Sequence, residues 1–115
     1  MRTLMVLLVL LAAGPALAAD GPRLFADQCA SCHLPGGASS VSGPTLKGVV
    51  WRKVAGRDDF AYSGALKSLG GSWSPARLDG FLKDTQGAAP GAGMFFAIDD
   101  PAERKAIVDY LKTTP

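Results

Sequence analysis

Two thiols and one imidazole lie within a five-residue stretch, at Cys29, Cys32 and His33, and His33 is the only histidine in the chain. On a tight turn, two thiols three positions apart project to one side, where they can add to the two vinyl groups on one edge of a porphyrin. The adjacent imidazole then falls beneath the iron and can serve as an axial ligand. The C-x-x-C-H spacing therefore predicts one covalent haem c, attached through Cys29 and Cys32, with His33 bound to the iron.

Three other uses of these residues stay open at this point. A disulfide is plausible in an exported protein, but so short a loop gains little stability from closure and leaves His33 without a role. A thioredoxin-like dithiol would require a strand before the first cysteine, and no β-branched run precedes Cys29. A structural zinc ion needs four ligands, whereas two cysteines and one histidine supply three.

A second axial ligand cannot be another histidine of this chain. Met1 and Met5 lie in the N-terminal leader described below, so Met94 is the only thioether of the remaining chain. Proline and glycines in the segment 89–96 disfavour a helix and allow an extended loop to approach a planar group. We predict that Met94 is the second iron ligand. The alternatives are an ordinary core methionine and an open or water-bound iron.

Residues 1–18 predict a secretory signal peptide. They combine one positive residue, an apolar run over residues 4–13, and small residues before a predicted cleavage site after Ala18. Removing 18 of the 115 residues leaves a single domain, 19–115, of 97 residues. The alternative is an uncleaved membrane anchor. It is disfavoured because Gly14-Pro15 interrupts the run before the roughly 20 apolar residues that a spanning helix needs.

The charge of the chain excludes nucleic acid as a partner. The full chain has 12 basic and 10 acidic residues, a net charge of +2, and it loses Arg2 with the leader. The remaining basic residues are scattered, so they form no broad positive field that would attract nucleic acid or anionic lipid.

The remaining chain predicts short helices joined by long loops. Four residues are predicted helix N-caps, because proline or an apolar pattern follows each of them: Asp20, Ser63, Ser74 and Asp100. Glu103 then completes a capping-box pattern with Asp100. Apolar spacing predicts two inward-facing stripes: Leu78, Phe81 and Leu82, and then Ile107, Tyr110 and Leu111. The second stripe should contact the first helix at Leu24 and Phe25. No alternating strand pattern of useful length occurs, so the predicted fold class is all-α.

Beyond the attachment motif, the sequence resembles class I cytochrome c along nearly all of the predicted mature chain. The matching residues are Gly21 and Phe25 before Cys29, the segment Gly43-Pro44-Thr45-Leu46, Pro90-Gly91 before Met94, and Arg104, Ile107 and Tyr110 near the C terminus. The resemblance implies the class I cytochrome c fold, in which short helices and loops wrap around one covalently attached haem.

The same resemblance implies roles for four further residues. The carbonyl of Pro44 would accept the Nδ1 hydrogen of His33 and so fix the tautomer of the ring. Arg52, Tyr62 and Trp73 would donate hydrogen bonds to the haem propionates, because buried carboxylates need partners. The plainer alternatives for these three are, in order, a solvated charge, a loop aromatic and a core residue.

The sequence also departs from the family pattern. Phe81 and Ala92 replace a common tyrosine and a common threonine, and Leu66 replaces a common asparagine, which removes polar groups around the haem and should alter its potential. The lysines that surround the haem edge in the mitochondrial type are absent, and the corresponding positions include Gln28, Val41, Gln86, Gly93 and Asp100. Docking should therefore depend more on an apolar rim and less on salt.

With His33 and Met94 both bound, the iron would have no vacancy for a substrate, which leaves outer-sphere electron transfer. We therefore predict a monomeric one-electron carrier, not an enzyme, that shuttles electrons between periplasmic redox proteins and does not insert stably into a membrane once the signal is cleaved. The alternatives are a haem subunit of a larger oxidoreductase, and an open-site haem protein that binds small gases or peroxide.

Overall fold

The computed structural model describes residues 19–114, in which helices form the regular structure. They are α1 (Gly21–Gln28), α2 (Gly64–Leu69), α3 (Pro75–Lys83), α4 (Thr85–Ala88) and α5 (Pro101–Leu111). The one β-type pairing within residues 19–114 is an antiparallel bridge between Lys53 and Ser72. The all-α prediction is therefore confirmed, whereas the predicted signal peptide lies outside the described residues.

Capping by side chains explains where the longer helices begin. The residue before each helix accepts a hydrogen bond from a first-turn amide, and the predicted caps are confirmed at Asp20, Ser63, Ser74 and Asp100. Each cap satisfies an amide that a helix leaves unpaired at its start. At α5 the carboxylate of Asp100 accepts from the amide of Ala102 at 2.8 Å, whereas a capping box would use the amide of Glu103.

No sequence pattern predicts α4, which is a single turn. Its cap is Asp84, whose carboxylate accepts a hydrogen bond from the amide of Gly87 at 3.0 Å. One turn is too short to show the apolar periodicity by which helices are recognised in a sequence. The turn matters because the segment that carries Met94 begins directly after it.

α1 packs across α5 at a point that leaves no room for a side chain on Gly21. A Cβ atom there would overlap the carbonyl oxygen of Ala106 and lie 3.0 Å from the Cβ of Tyr110. Beside this contact the rings of Phe25 and Tyr110 have centroids 5.3 Å apart and are tilted by 55°. The predicted packing of the first helix on the last is therefore confirmed, and it fixes the helix that ends just before Cys29.

α3 contacts both α4 and α5. The predicted apolar stripe of α3 is buried: Leu78, Phe81 and Leu82. Arg104 of α5 is also buried, and its Nε donates to Asp79 Oδ1 at 2.9 Å. One terminal nitrogen of the same guanidinium donates to the carbonyl oxygens of Ile98 at 2.8 Å and Asp99 at 2.9 Å. A buried cation is tolerated when it is paired in this way, and Arg104 thereby joins α5 to α3 and to the segment that precedes α5.

Gly21→Ala should destabilise the fold by about 1–3 kcal/mol, because the added methyl group forces α1 away from the backbone of α5. Gly80→Ala is the matched control, since a Cβ on Gly80 meets nothing within 4 Å. In a helix interior this change should stabilise by about 0.5–1 kcal/mol. Denaturant unfolding of both variants measures the two effects, and equal stabilities would contradict the close crossing.

Candidate functional site

An apolar cleft brings together residues that are distant in the sequence. Of the predicted site residues, seven line it: Cys29, His33, Pro44, Arg52, Tyr62, Trp73 and Met94. Aliphatic side chains of α3 and α5 form much of the remaining wall: Leu78, Leu82, Ile107 and Leu111. The eighth predicted residue, Cys32, is exposed and is not among the residues that line the cleft.

The ring of His33 is buried and held through its Nδ1 atom. The turn after α1 is closed by a hydrogen bond from the amide of His33 to the carbonyl oxygen of Cys29 at 2.9 Å. Nδ1 lies 2.8 Å from the carbonyl oxygen of Pro44, which can only accept, so Nδ1 carries a hydrogen, and in the neutral ring Nε2 then has the free lone pair. Burial lowers the pKa of His33 below its ordinary value, against the hydrogen bond to Pro44, which raises it. Burial therefore favours the neutral form of the ring, which is the form that can bind a metal.

Gly43 allows the ring of His33 to lie close to the backbone of the Gly43-Pro44 segment. A Cβ atom on Gly43 would lie 2.7 Å from the carbonyl oxygen of Cys32 and 2.9 Å from the Nδ1 and Cε1 atoms of the His33 ring. Any larger residue would therefore displace either the ring or the backbone of the attachment turn. The sequence shows Gly43 only as part of the Gly-Pro segment, and nothing local in that pattern identifies its contact with His33.

The two cysteines differ in their surroundings, and neither is in a disulfide. Cys29 is buried, and burial, with a smaller contribution from Cys32, raises the pKa of its thiol to about 11. Reactive dithiols of the thioredoxin type require a lowered pKa, so this environment disfavours that alternative. Within residues 19–114 no three His, Cys, Asp or Glu side chains lie together as a metal-ion site, which argues against the zinc alternative.

Arg52 supplies a buried donor without a partner at the cleft. Its terminal nitrogens donate to the carbonyl oxygens of Thr45 at 2.9 Å and Lys47 at 3.3 Å. Its Nε is buried and has no hydrogen-bond partner among the described residues. Burial also lowers the pKa of Arg52 from its ordinary value. A buried donor left in this way is costly, so an acceptor on a bound group, such as a carboxylate, fits here.

Tyr62 and Trp73 complete the polar part of the lining. The hydroxyl of Tyr62 accepts a hydrogen bond from the amide of Arg57 at 3.3 Å, which leaves its own hydrogen available for donation. Trp73 is buried, and its ring packs against Phe81 with centroids 5.0 Å apart. Trp73 therefore belongs both to the hydrophobic core and to the lining of the cleft.

Asp59 connects the loop after His33 to the segment that leads to Tyr62, and no sequence pattern singles it out. Its carboxylate accepts from the amide and hydroxyl of Ser39 at 3.0 and 2.8 Å, and from two guanidinium nitrogens of Arg57 at 3.0 Å each. The hydrogen bonds from Arg57, followed by those from Ser39, hold the pKa of Asp59 well below its usual range. The carboxylate therefore links the loop that contains Ser39 to the segment that contains Arg57.

Met94 is half-buried and lies in a segment without regular structure, as the sequence predicts. The segment runs from the end of α4 to the start of α5 and brings Met94 to the same cleft as His33. The cleft thus joins a neutral imidazole, a thioether, a cysteine, an unpartnered buried donor and an aliphatic wall. This donor set fits an iron porphyrin, which is apolar over its faces and carries carboxylates at one edge.

A sequence model of the family described as cytochrome c matches residues 18–115 of this chain. The chain belongs to the cytochrome c family. Members of this family carry one covalently attached haem c and are electron carriers, so this cytochrome is a haem-bearing electron carrier and not an enzyme.

Individual relatives agree with this assignment. Cytochrome cH from Methylobacterium extorquens is a solved structure with a TM-score of 0.75 and 43% identity, and the match covers 85% of this chain and 99% of that chain. Cytochrome c2 of Agrobacterium tumefaciens is 37% identical over 98 residues, covering 81% of this chain and 87% of the relative. The c-type cytochrome cy of Rhodobacter capsulatus is 38% identical over 96 residues, which are 83% of this chain. They span 48% of that relative, so this chain matches about half of its length.

Asp59→Asn should lower the melting temperature of the haem-loaded protein at pH 7 and lower it less in acid. The pKa of Asp59 in the folded state lies below its unfolded value of about 3.9, so its contribution is present above that pH. This contribution is lost as the pH falls through the folded pKa. Thermal denaturation should therefore show a constant difference from pH 7 to about pH 4, and the two proteins should converge below that pH.

Asp27→Asn is the control for this measurement, because Asp27 has only a 4.0 Å contact with Arg23 on an exposed face. Exposed pairs of this kind contribute little, so its melting temperature should follow the unmutated protein at every pH. A constant difference for Asp59→Asn from pH 7 down to pH 2 would contradict the proposed role of the carboxylate.

Proposed function

We propose that this protein is a periplasmic one-electron carrier whose haem is attached to Cys29 and Cys32 and ligated by His33 and Met94. The observation that supports this most directly is that His33 and Met94 line one cleft together with Cys29. His33 is the only histidine of the chain, and the other two methionines are at positions 1 and 5. In the predicted mature chain, one imidazole and one thioether are therefore available as ligands for an iron in the cleft.

Pro44 acts on the iron site through His33. By accepting the Nδ1 hydrogen at 2.8 Å, its carbonyl oxygen orients the ring and makes Nε2 a better donor to the metal. Gly43 allows this geometry because it carries no side chain against the ring. The pair Gly43-Pro44 is therefore the support for the His33 ligand.

The haem supplies an iron that changes its charge by one unit when an electron is gained or lost. If His33 and Met94 both hold this iron, no position would be left for a substrate, and the group would supply electron transfer without the making or breaking of bonds. Thioether ligation and the aliphatic wall of α3 and α5 both disfavour the additional charge of the oxidised state. These residues therefore favour a fairly high reduction potential.

Three side chains are proposed to bind the haem propionates: Arg52, Tyr62 and Trp73. For Arg52 the support is the unpartnered Nε, and for Tyr62 it is a hydroxyl whose hydrogen is not used by its contact with Arg57. Trp73 lines the same cleft and has an indole N–H to donate. Buried carboxylates would thus meet donors that the protein leaves free.

The leader over residues 1–18 supports export, and we propose that residues 19–115 form the mature monomer in the periplasm. Within residues 19–114 no helix is long and apolar enough to cross a membrane. The electron donor and the electron acceptor of this protein are proposed to be periplasmic redox proteins.

The surface for docking with these partners is apolar at one edge. Non-basic residues replace the lysine ring, and Phe95 beside Met94 is 79% exposed. Docking at an apolar edge, with weak dependence on salt, follows from that surface.

Optical spectra of the oxidised mature protein test the axial ligands. The unmutated protein should show a thioether-to-ferric charge-transfer band at long wavelength, and Met94→Ala should lose the band, become high-spin and have a lower reduction potential. Phe95→Ala is the matched control at the next position, where an exposed ring makes few contacts. It should keep both the band and the potential. A high-spin spectrum of the unmutated protein would contradict the proposal and favour an open iron.

A further inference from the structure

We infer that Thr85 and Gln86 of α4 are positioning residues for Met94, because they hold the residue 90–96 segment, here named the Met94 loop, by its backbone. This inference rests on the proposed ligation of iron by Met94. It concerns the free energy that keeps the thioether in the cleft. Neither Thr85 nor Gln86 is itself a ligand of the iron.

The backbone of the Met94 loop finds its partners outside the loop. The amide of Ala92 donates to the carbonyl oxygen of Ala89, the residue before the loop, at 2.9 Å. Gly91 has a φ of +91°, which a helix does not allow, and Pro90 has no amide hydrogen. Backbone donors and acceptors further along the loop must therefore find partners elsewhere.

Thr85 supplies partners on both sides of Phe95. Its hydroxyl donates to the carbonyl oxygen of Met94 at 2.7 Å and accepts from the amide of Phe96 at 3.0 Å. Its own amide donates to the carbonyl oxygen of Phe96 at 3.1 Å. Thr85 is 0% exposed, so water does not replace these bonds when one is removed. The backbone on either side of Phe95 is thus fixed from α4.

Gln86 holds the preceding part of the same loop. Its amide nitrogen donates to the carbonyl oxygens of Ala92 and Met94, each at 2.8 Å, which uses both of its hydrogens. Its amide oxygen accepts from the backbone N–H of Gly91 at 3.2 Å. The carbonyl oxygen of Met94 therefore receives two donors, one from each of two adjacent side chains.

Packing holds the loop at fewer points, where the half-buried side chains of Met94 and Phe96 contact the hydrophobic core. The ring of Phe95 is 79% exposed, and Met94 itself is only half-buried. Ala92 is buried but has a single methyl group to pack. The hydrogen bonds from α4 are therefore the interactions whose loss would release the thioether while α1, α5 and the His33 side of the cleft stay folded.

The affinity of the oxidised haem-loaded protein for added imidazole measures this release, because imidazole can bind the iron only when the thioether leaves. Thr85→Val keeps the size of the side chain but removes its hydroxyl. The apparent Kd for imidazole should fall about tenfold, equivalent to about 1.4 kcal/mol. The thioether charge-transfer band should persist at a weaker intensity. Thr85→Ser keeps the hydroxyl and should restore the Kd to within about twofold of the unmutated protein.

Gln86→Leu is an independent variant at a half-buried position, and it decides the question if Thr85→Val yields no folded protein. It removes both donors and the acceptor at once, so the Kd should again fall about tenfold. The control is Val108→Ala, which removes buried volume from α5 away from the cleft. It should lower the melting temperature but leave the Kd for imidazole within about twofold.

Unchanged imidazole affinity in the Thr85→Val and Gln86→Leu variants, in a protein whose charge-transfer band is present, would overturn this inference and leave the proposed function standing. An equal fall in Val108→Ala would also overturn it, since the effect would then follow general stability. An unmutated protein without the band would contradict the proposed ligation, and this inference with it.

Discussion

The hydrogen bond between Nδ1 of His33 and the carbonyl oxygen of Pro44 is the interaction on which the site depends. It leaves the Nε2 lone pair free and sets the direction of the ring. The same ring lies one turn after Cys29, so its direction must agree with the plane in which a haem attached there would lie. Gly43 makes the bond possible because it has no Cβ atom against the ring. The close crossing of α1 and α5 at Gly21 fixes α1, and with it the turn that carries Cys29 and His33.

The two sides of the cleft are held by different means. On the His33 side, α1 is fixed against α5 by close backbone contact and by the Phe25–Tyr110 pair. On the Met94 side, an irregular loop is attached to a single helical turn by two polar side chains. Small domains bury too little surface to fill a cleft of this kind with their own residues. A covalently held haem would complete the interior between the two sides, which explains why so much of the chain can be loop.

Sequence patterns predict what is local in this protein. Helix starts depend on one cap and a neighbouring proline or apolar pattern, as at Ser74, and the attachment motif is complete within five residues. Contacts between segments that are distant in the sequence are not predicted by local patterns. Gly43 contacts His33 and Asp59 binds Ser39, in each case across irregular backbone. Thr85 belongs to a helix too short to show periodicity. The roles of Pro44 and Arg52 are implied only by the family resemblance, because nothing local marks a carbonyl as the acceptor for His33 or a guanidinium as a donor to a haem propionate.

The proposed electron transfer requires that haem is attached covalently to Cys29 and Cys32, and mass spectrometry of a tryptic digest measures this attachment. Cleavage after Arg23 and Lys47 yields one peptide, residues 24–47, that contains both cysteines. In protein matured with haem available, this peptide should keep one haem after denaturation and extraction with acidified solvent, and it should have no thiol that alkylates. Recovery of the same peptide without haem, with its thiols free or joined to each other, would contradict the account.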